Sequence, residues 1–270
     1  MNQFIRRVQL QIQRPGAANA RALEGLRITS TARRSVTPTP DRATITIYGA
    51  APASLDDLGQ NGTLVRVLAG YKDGAFGVVL SGTVIPGTLD IIRQSGEVVA
   101  TMEVADGRTD IRAAAVSRAW DQTTASDVLA WAIQKAGLAS GSIVLGTDVA
   151  YTRGFVASGT VADVLRQIGT DTGTTIAVQD GVVAAYPVGQ RHRPSSLLLS
   201  PNSGLIGAPR RVEDGHVEAV ALLAPTLRPG DGYRVESSQV SGDFIALDVT
   251  TEIDSQEGPF YSKIVGARVG

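Results

Sequence analysis

Runs of β-branched and apolar residues, broken by tight turns built on glycine and aspartate, fill most of this chain and constrain its fold more than any other feature. Hairpin turns require backbone angles with positive φ, which Gly, Asn and Asp adopt most easily. Because strands with short turns recur at intervals of roughly 8–12 residues, the pattern predicts a β-barrel or a β-sandwich. The turns that carry this prediction are Lys72-Asp73-Gly74, Gln94-Ser95-Gly96-Glu97, Asp106-Gly107 and Asp180-Gly181.

Residues 1–118 are predicted to form a first β-unit. Val8, Leu10 and Ile12 alternate with glutamines, a period of two that is typical of a half-buried strand. Residues 15–41 are rich in Pro, Ala, Arg, Ser and Thr, so we expect an extended arm or a long loop there. The other strands predicted in this unit are Ala43–Ile47, Leu64–Leu68, Phe76–Leu80, Thr83–Ile85, Leu89–Arg93, Val98–Val104 and Thr109–Ser117.

Residues 119–190 show a different periodicity and are predicted to form a small α/β insert. Thr124 and Thr160 each precede an aspartate by three residues, which is the pattern of a capping box at a helix start. Gly137 and Gly169 are expected to end the two helices. Strands are predicted at Ser142–Leu145, Thr174–Val178 and Val182–Tyr186.

Residues 191–270 return to the strand pattern and are predicted to form a second β-unit. The fold class that follows is mainly β, with two antiparallel β-units flanking the α/β insert. The strands predicted in the second unit are Ser196–Leu199, Val217–Leu223, Tyr233–Gln239, Phe244–Thr250 and Phe260–Ala267.

The charges of the chain balance overall but are unevenly distributed. The formal net charge is −1, whereas a dedicated nucleic-acid-binding protein usually carries a strong basic excess. Arginines are concentrated near the N-terminus and acidic residues near the C-terminus, a distribution that suits head-to-tail contacts between subunits and equally suits two solvated faces. The candidate interface residues are Arg6, Arg7 and Arg14 in the basic segment, and Asp254 and Glu257 in the acidic one.

Candidate catalytic and ligand-binding residues are few. The chain has no cysteine, which excludes disulfides, thiol nucleophiles and thiolate metal sites. His192 and His216 lack the spacing of a metal pair and are expected in a linker and a turn. The adjacent carboxylates Asp56 and Asp57 are expected in a short capped turn, and Ser158-Gly159-Thr160 is expected to be a helix cap. The sequence therefore predicts no enzyme activity, no metal and no cofactor.

Membrane insertion and secretion are not expected from this sequence. The N-terminal segment alternates polar and apolar residues where a signal peptide would have an apolar core. The longest apolar run, Ala219–Ala224, is too short to cross a bilayer. We therefore expect a soluble protein.

Three stretches resemble the central hub proteins of phage tail baseplates, a family that includes the late-control proteins. The third stretch is the most specific, because Gly-Leu-Ile-Gly-x-Pro is followed by Leu-Leu-x-Pro-x-Leu-x-Pro-Gly. The resemblance touches all three predicted units in the same order. Its residues are Val65–Gly74 with Val79–Val84, then Asp106-Gly107 through Val116-Ser117 to Thr123–Leu129, and then Ser203–Pro209 with Ala221–Gly230.

The resemblance implies a homotrimer in which each chain contributes two β-barrels of the tail-tube type. Such a ring would join the sixfold tail tube protein to the trimeric spike protein, contact other baseplate proteins and enclose the channel for DNA and the tape-measure protein. It would lie in the virion tail baseplate after assembly in the host cytoplasm, without binding a membrane or a specific nucleic-acid sequence.

Two other interpretations remain open. One is a hexameric tail-tube adaptor or distal tail protein of the same barrel ancestry. The other is a carbohydrate-binding β-module, which would need aromatic platforms; the only tryptophans are Trp120 and Trp131, and the second is expected to be buried on a helix.

Overall fold

The structure is a computed structural model that describes residues 5–37, 41–106, 115–194 and 197–269. The helices in this part of the chain are α1 (Pro52–Leu58), α2 (Ala125–Lys135) and α3 (Val161–Thr172), with a 3₁₀ turn at Glu213–Gly215. The strands are β1 (Arg6–Gln13), β2 (Arg21–Leu23), β3 (Ile28–Ser35), β4 (Arg42–Tyr48), β5 (Leu64–Tyr71), β6 (Phe76–Val84), β7 (Asp90–Gln94), β8 (Glu97–Ala105), β9 (Ala115–Trp120), β10 (Thr123–Thr124), β11 (Ala139–Ile143), β12 (Ala150–Tyr151), β13 (Phe155–Thr160), β14 (Thr174–Gln179), β15 (Val182–Pro187), β16 (Leu198–Leu199), β17 (Leu205–Arg211), β18 (Val217–Leu222), β19 (Gly232–Glu236), β20 (Ser241–Asp254) and β21 (Phe260–Arg268).

The alternating pattern at the N-terminus is a strand, as predicted. Val8, Leu10 and Ile12 are buried on one side of β1, and the intervening glutamines lie on the other. The hairpin turn between β7 and β8 places Ser95 at φ 52° and Gly96 at φ 86°, the positive angles that a two-residue turn requires. Turn chemistry therefore identified this hairpin correctly. Most of the predicted strand Thr109–Ser117 lies outside the described residues; its described end belongs to β9.

The extended arm predicted for residues 15–41 is wrong. Residues 28–35 form β3, which pairs along its length with β4 on one side and β20 on the other. The inward positions hold Ile28, Ser30, Ala32 and Arg34, so the buried face is small and partly polar. A search for apolar alternation misses such a strand, because its burial is decided by its neighbours and not by its own hydrophobicity.

One sheet of 14 strands runs through both β-units, in the main order β17-β18-β21-β20-β3-β4-β8-β6-β5-β1-β2. The strand that joins the units is β20, which is 14 residues long. Its first part pairs with β19 and its second part with β3, while β21 pairs with it across both parts. The two β-units are therefore hydrogen-bonded into one continuous, mainly antiparallel sheet.

Two hydrophobic cores lie on the same face of this sheet. The first is built mainly from residues 8–104, and it also contains Leu223, Ile253 and Phe260 from the C-terminal part of the chain. The second is built from residues 199–264. Val249 and Ile253 project from the same face of β20 into the second and the first core respectively. The two units thus share strands but fill separate cores.

The insert packs α2 and α3 against the short strands of residues 115–187 around a third core. Thr160 and Asp163 form a full capping box, and Thr124 caps α2 by accepting the Asp127 N–H. Gly169 does not end α3, which continues to Thr172 and terminates at Gly173 in the left-handed conformation. A Cβ at position 169 would lie 2.8 Å from the Thr174 carbonyl oxygen, so this glycine allows a close approach of backbone.

The mainly β fold class with an α/β insert is confirmed. Among the described strands no closed barrel is detected, because the paired strands follow one open order from β17 to β2. The predicted strand Ser142–Leu145 is displaced to β11, and the prediction omitted β17. None of the helices in the described part of the chain is long and apolar enough to span a membrane.

Candidate assembly interface

Arg6 and the acidic loop of residues 254–258 come together within one chain. The Arg6 guanidinium donates to the carbonyl oxygens of Asp254 and Gly258, both at 3.0 Å, and lies over the ring of Phe260 at 5.1 Å. The contact brings the start of β1 against the end of β20, although the two strands are not paired in the sheet. Two of the predicted interface segments therefore meet inside the subunit.

Asp254 is buried, and its carboxylate is fully engaged. It accepts a hydrogen bond from Arg27 at 2.8 Å and from the backbone N–H groups of Gln256 and Glu257. Burial by itself raises the pKa of a carboxyl group, but these hydrogen bonds outweigh it and lower the pKa of Asp254. The Glu257 side chain is exposed. Of the two predicted acidic residues, only Glu257 has its side chain on the surface.

Arg7 and Arg14 are about half exposed and contact other parts of the first unit. Arg7 lies 3.1 Å from Glu24 and its guanidinium stands over Phe76 at 4.5 Å. Arg14 lies 3.4 Å from the buried carboxylate of Asp57. The interface roles of Arg6, Arg7, Arg14, Asp254 and Glu257 stay predictions.

Asp56 and Asp57 lie in α1, a helix of two turns, where a capped turn was predicted. Asp57 binds both Arg14 and Arg21, the latter at 2.9 Å, and so fixes the start of β2 against this helix. Asp56 is exposed on the same helix. The geometry supports a structural role for Asp57.

A second charged cluster joins the three predicted units, and sequence reasoning missed it. Asp180, in the turn of the β14–β15 hairpin, lies 2.8 Å from Arg228 and 4.0 Å from Arg34. Its backbone N–H donates to the Asp106 carboxylate at 2.6 Å. Arg34 is 4% exposed, and burial together with the nearby Arg228 lowers its pKa to about 10. The Asp180-Gly181 turn was recognised from sequence, but nothing local indicated that its carboxylate meets two arginines from distant segments.

The loop between β18 and β19 carries the Leu-Leu-x-Pro-x-Leu-x-Pro-Gly motif and lies at this junction. The Leu223 N–H donates to the hydroxyl of Tyr71, and the Pro229 carbonyl accepts from Gln179 at 2.9 Å. Arg228 also donates to the Val78 carbonyl oxygen. The motif therefore connects the first unit, the insert and the second unit.

The two histidines lie in different environments. His192 stacks on Tyr186, with ring centroids 5.3 Å apart, in a cleft of about 230 Å³ between the insert and the second unit. Burial lowers its pKa. His216 follows the 3₁₀ turn, and its carbonyl accepts from the Val212 N–H. Within residues 5–37, 41–106, 115–194 and 197–269, no group of three His, Asp or Glu side chains could hold a metal ion.

The tryptophans do not form an open stacking platform. Trp120 and Trp131 meet edge to face at 5.1 Å, with their planes 86° apart. The Arg118 guanidinium stands over both rings, at 4.5 and 5.7 Å. Because a sugar needs a free ring face, this arrangement disfavours the carbohydrate-binding interpretation.

No protein-family model and no curated protein matches the sequence. The fold is similar to that of the 43 kDa tail protein of prophage MuSo2 from Shewanella oneidensis, with 9% identity, a TM-score of 0.70, and 97% of this chain and 98% of that chain covered. A tail protein from Neisseria meningitidis MC58 gives 9% identity and a TM-score of 0.67, with 96% of each chain covered.

The E. coli c3393 protein, a component of the type VI secretion system described as similar to the T4 tail proteins gp27 and gp5, is also similar in structure. Its identity is 11% and its TM-score 0.65, with 96% of this chain and 77% of that chain covered. At such low identity the likeness concerns the fold, and it extends over nearly the whole chain in all three comparisons. The chain has the fold shared by these phage tail and secretion-system proteins.

Proposed function

We propose that this protein is a non-catalytic structural component of a phage tail baseplate, and specifically its central hub. Three copies would form a ring that joins the sixfold tail tube protein to the trimeric spike protein and encloses the channel for DNA and the tape-measure protein. The ring would contact other baseplate proteins in the virion and would be assembled in the host cytoplasm.

The observation that carries the proposal is the continuous sheet through both β-units. Because β20 pairs with β19 and with β3, one chain holds two β-units in a fixed orientation with their cores on the same side. Three chains would then present six units around an axis. The six units would match the sixfold symmetry of the tube. The three chains would match the threefold symmetry of the spike.

The similarity in fold to tail proteins over nearly the whole chain supports this proposal. We further propose that the chain is divided into three units near the boundaries expected from the sequence, at 1–118, 119–190 and 191–270, with the first boundary falling inside β9. The C-terminal residues Leu223, Ile253 and Phe260 would then complete the first core from outside its own segment.

The proposed contacts with neighbours lie at the end of the first unit that carries Arg7 and Glu257. Both side chains are exposed and of opposite sign. Arg6 and Asp254 would support this surface from within, since they hold the loop of residues 254–258 in place.

Mass and symmetry in solution test the proposal. Light scattering of the purified chain should give a mass of three subunits, to which the tube and spike proteins of the same tail add their own mass when they bind. Negative-stain images should show threefold rings. A sixfold ring would favour the hexameric adaptor or distal tail protein. A strict monomer in the presence of both partners would contradict the hub.

A charge reversal at the proposed contact gives a sharper test. Arg7→Glu should reduce ring formation or spike binding at least tenfold, because it places like charges in the contact. Arg153→Glu is a matched reversal on the exposed surface of the insert and should leave assembly unchanged. Equal behaviour of the two variants would contradict this contact.

A further inference from the structure

Most outward side chains of β8, β4 and β3, on the face of the sheet opposite the two cores, are exposed or half-buried in the described part of the chain. The middle of this face is lined with threonines. The outward positions form paired rows across the three strands, and Thr46 and Thr101 meet at 3.1 Å through their hydroxyls. We call this surface the threonine face. Its threonines are Thr29, Thr31, Thr44, Thr46 and Thr101.

One edge of the threonine face carries a row of four charges. Arg33 on β3 is directly opposite Arg42 on β4. Like charges in this position repel. Asp248 lies 3.6 Å from Arg33 on one side, and Glu103 lies 3.9 Å from Arg42 on the other. The order across β8, β4, β3 and β20 is therefore acid, arginine, arginine, acid.

Cations are also paired with an acid further along the sheet. Glu218 on β18 lies between two cations, 2.7 Å from Arg210 and 2.8 Å from Lys263. Glu252 on β20 lies directly opposite Tyr261 of β21. Each cation named on this face thus has an acid beside it, and the surface is close to neutral.

Stability does not explain the four-charge row. The side chains of Arg33 and Arg42 are 74% and 65% exposed, and ion pairs of this length at exposed sites contribute little to folding. These four charges affect the electrostatic potential of the surface more than they affect the free energy of folding. Two arginines on neighbouring strands would otherwise form a clamp for phosphate groups, and the flanking acids cancel it.

The threonine face does not resemble a subunit contact. Among the described residues, none of the large apolar side chains that are exposed lies on β3, β4, β8 or β20. Ile92 on β7 is exposed beside Val99, but it lies at the end of this face away from the four charges. Stable protein interfaces have an apolar centre, and this surface has hydroxyls and paired charges. It therefore fits a surface that faces water or a polar polymer.

We propose that the threonine face lines the channel past which DNA moves, and that Asp248 and Glu103 prevent the Arg33–Arg42 pair from holding the DNA. This inference rests on the proposed function, because a tail channel is what brings DNA to the chain. A polyanion moves along such a wall without being retained, since no uncompensated cation releases counterions on contact.

Removing the two acids tests the inference on the isolated full-length chain. Glu103→Gln with Asp248→Asn should create binding to a 30-base-pair duplex, measured by fluorescence anisotropy, that the unaltered chain lacks. Two phosphate contacts should make the affinity fall about tenfold between 50 and 200 mM salt. Adding Arg33→Gln and Arg42→Gln to the same chain should abolish the gain.

The matched control changes net charge by the same amount elsewhere. Asp56→Asn with Asp73→Asn alters two exposed acids outside the threonine face and should not create DNA binding. Equal binding by both double variants, or binding by neither, would overturn the inference. If the Glu103→Gln, Asp248→Asn variant melts at a lower temperature, a second variant replaces it. Thr31→Lys with Thr44→Lys adds two cations to the same face without removing an acid, and it should also bind DNA.

Single cysteines locate the face in the ring, because the chain has none of its own. In the trimer, Thr44→Cys should react with a small maleimide but not with a maleimide carrying a long polyethylene glycol, whereas Asp73→Cys should react with both. If Thr44→Cys reacts with the polyethylene glycol maleimide, the face lies outside the ring. If it does not react with the small maleimide, the face lies in a subunit contact. Either result would overturn the inference. Light scattering shows beforehand whether the ring forms. Failure to form a ring would contradict the proposed function, whereas the duplex-binding assay would still test the inference.

Discussion

Arg228 and Asp180 lie 2.8 Å apart, guanidinium to carboxylate, and this pair fastens the hairpin of the insert to the loop between β18 and β19. Arg34, from a strand of the first unit, lies 4.0 Å from the same carboxylate and is nearly inaccessible to water. One side chain of the insert therefore neutralises cations from both β-units. This contact is one of several that hold the insert against the β-units, and its loss should be costly because a buried arginine would be left without its acid.

Asp180→Asn is expected to destabilise the protein while preserving the turn. Asparagine tolerates the positive φ of 51° at this position, so the change isolates the loss of charge. Because Asp180 is itself partly exposed, we expect the free energy of unfolding to fall by about 2 kcal/mol, below the range for a fully buried pair. Urea denaturation measures this. Asp73→Asn, at an exposed turn of the first unit, should change it by less than about 0.5 kcal/mol, and a similar loss in both variants would contradict the role of the pair.

The capping box at the start of α3 should make stability depend on pH. Hydrogen bonds from the Thr160 side chain and backbone, with a further one from Arg166, lower the pKa of Asp163 from 3.8 to about 2. A carboxyl group whose pKa is lower in the folded state stabilises it above the unfolded pKa, and this contribution is lost as the pH falls through the folded value. Asp163→Asn should therefore be less stable than the unaltered chain at pH 5, and the difference should shrink as the pH is lowered from 4 towards 2. A difference that stays constant over this range would exclude the ionised cap as its cause. Asp56→Asn, which removes an exposed carboxylate from another helix, is the control and should show no such dependence on pH.

Truncation of core residues on β20 should reveal whether the two β-units unfold together. Ile253→Ala and Val249→Ala create cavities in the first and the second core respectively, and the loss of unfolding free energy should be about 3 kcal/mol for the isoleucine and less for the valine. Since both residues lie on one strand of a continuous sheet, each variant should shift a single shared transition. Differential scanning calorimetry measures this, and two separate transitions that respond to different variants would show that the units unfold independently.

Two glycines should respond to alanine in opposite ways. A Cβ at Gly82 would fall inside contact distance of the Ala105 carbonyl and lie 2.9 Å from a methyl group of Val104. Gly82→Ala should therefore cost about 2–3 kcal/mol through overpacking. Gly59 has an ordinary φ of −72° and no neighbour closer than 3.6 Å, so Gly59→Ala should be neutral or stabilise by up to about 1 kcal/mol. Thermal unfolding distinguishes the pair, and equal effects would contradict the described contact.

Arg6 and Arg7 should separate folding from assembly. Reversal of both to glutamate is expected to impair assembly, but the Arg6 change would also remove the contacts that hold residues 254–258. Arg6→Ala should therefore increase amide hydrogen exchange in this loop of the isolated chain, whereas Arg7→Glu should leave exchange there unchanged. Normal particle assembly with both arginines reversed would contradict an interface at this end of the unit.

The sequence was sufficient wherever local chemistry decides the structure. The turn at Ser95-Gly96, the cap at Thr160 and the alternation from Val8 to Ile12 each follow from residues within one short segment. Pattern reasoning likewise separated the α/β insert from the strands around it. These features require no knowledge of distant neighbours, because φ preference, side-chain capping and period-two burial act over a few residues.

Sequence patterns failed where neighbouring strands determine which residues are buried. β3 was missed because Ser30 and Arg34 occupy inward positions that only β4 and β20 make interior. Gly169 was taken for a helix end because its function, the close approach to Thr174, depends on the next strand. Among the candidate interface residues, the engagement of Asp254 by Arg27 joins positions 227 residues apart.

The sequence by itself determined the elements of this protein: strands joined by Asp-Gly and Ser-Gly turns, two capped helices, and an arginine-rich and an acidic segment. The tertiary structure alone decided how they combine. It extended β20 through both units, placed two cores on one face of one sheet, and set Arg33 beside Arg42 between two acids. The physical reason is that strand pairing and ion pairing depend on proximity in space, which short-range propensity does not encode.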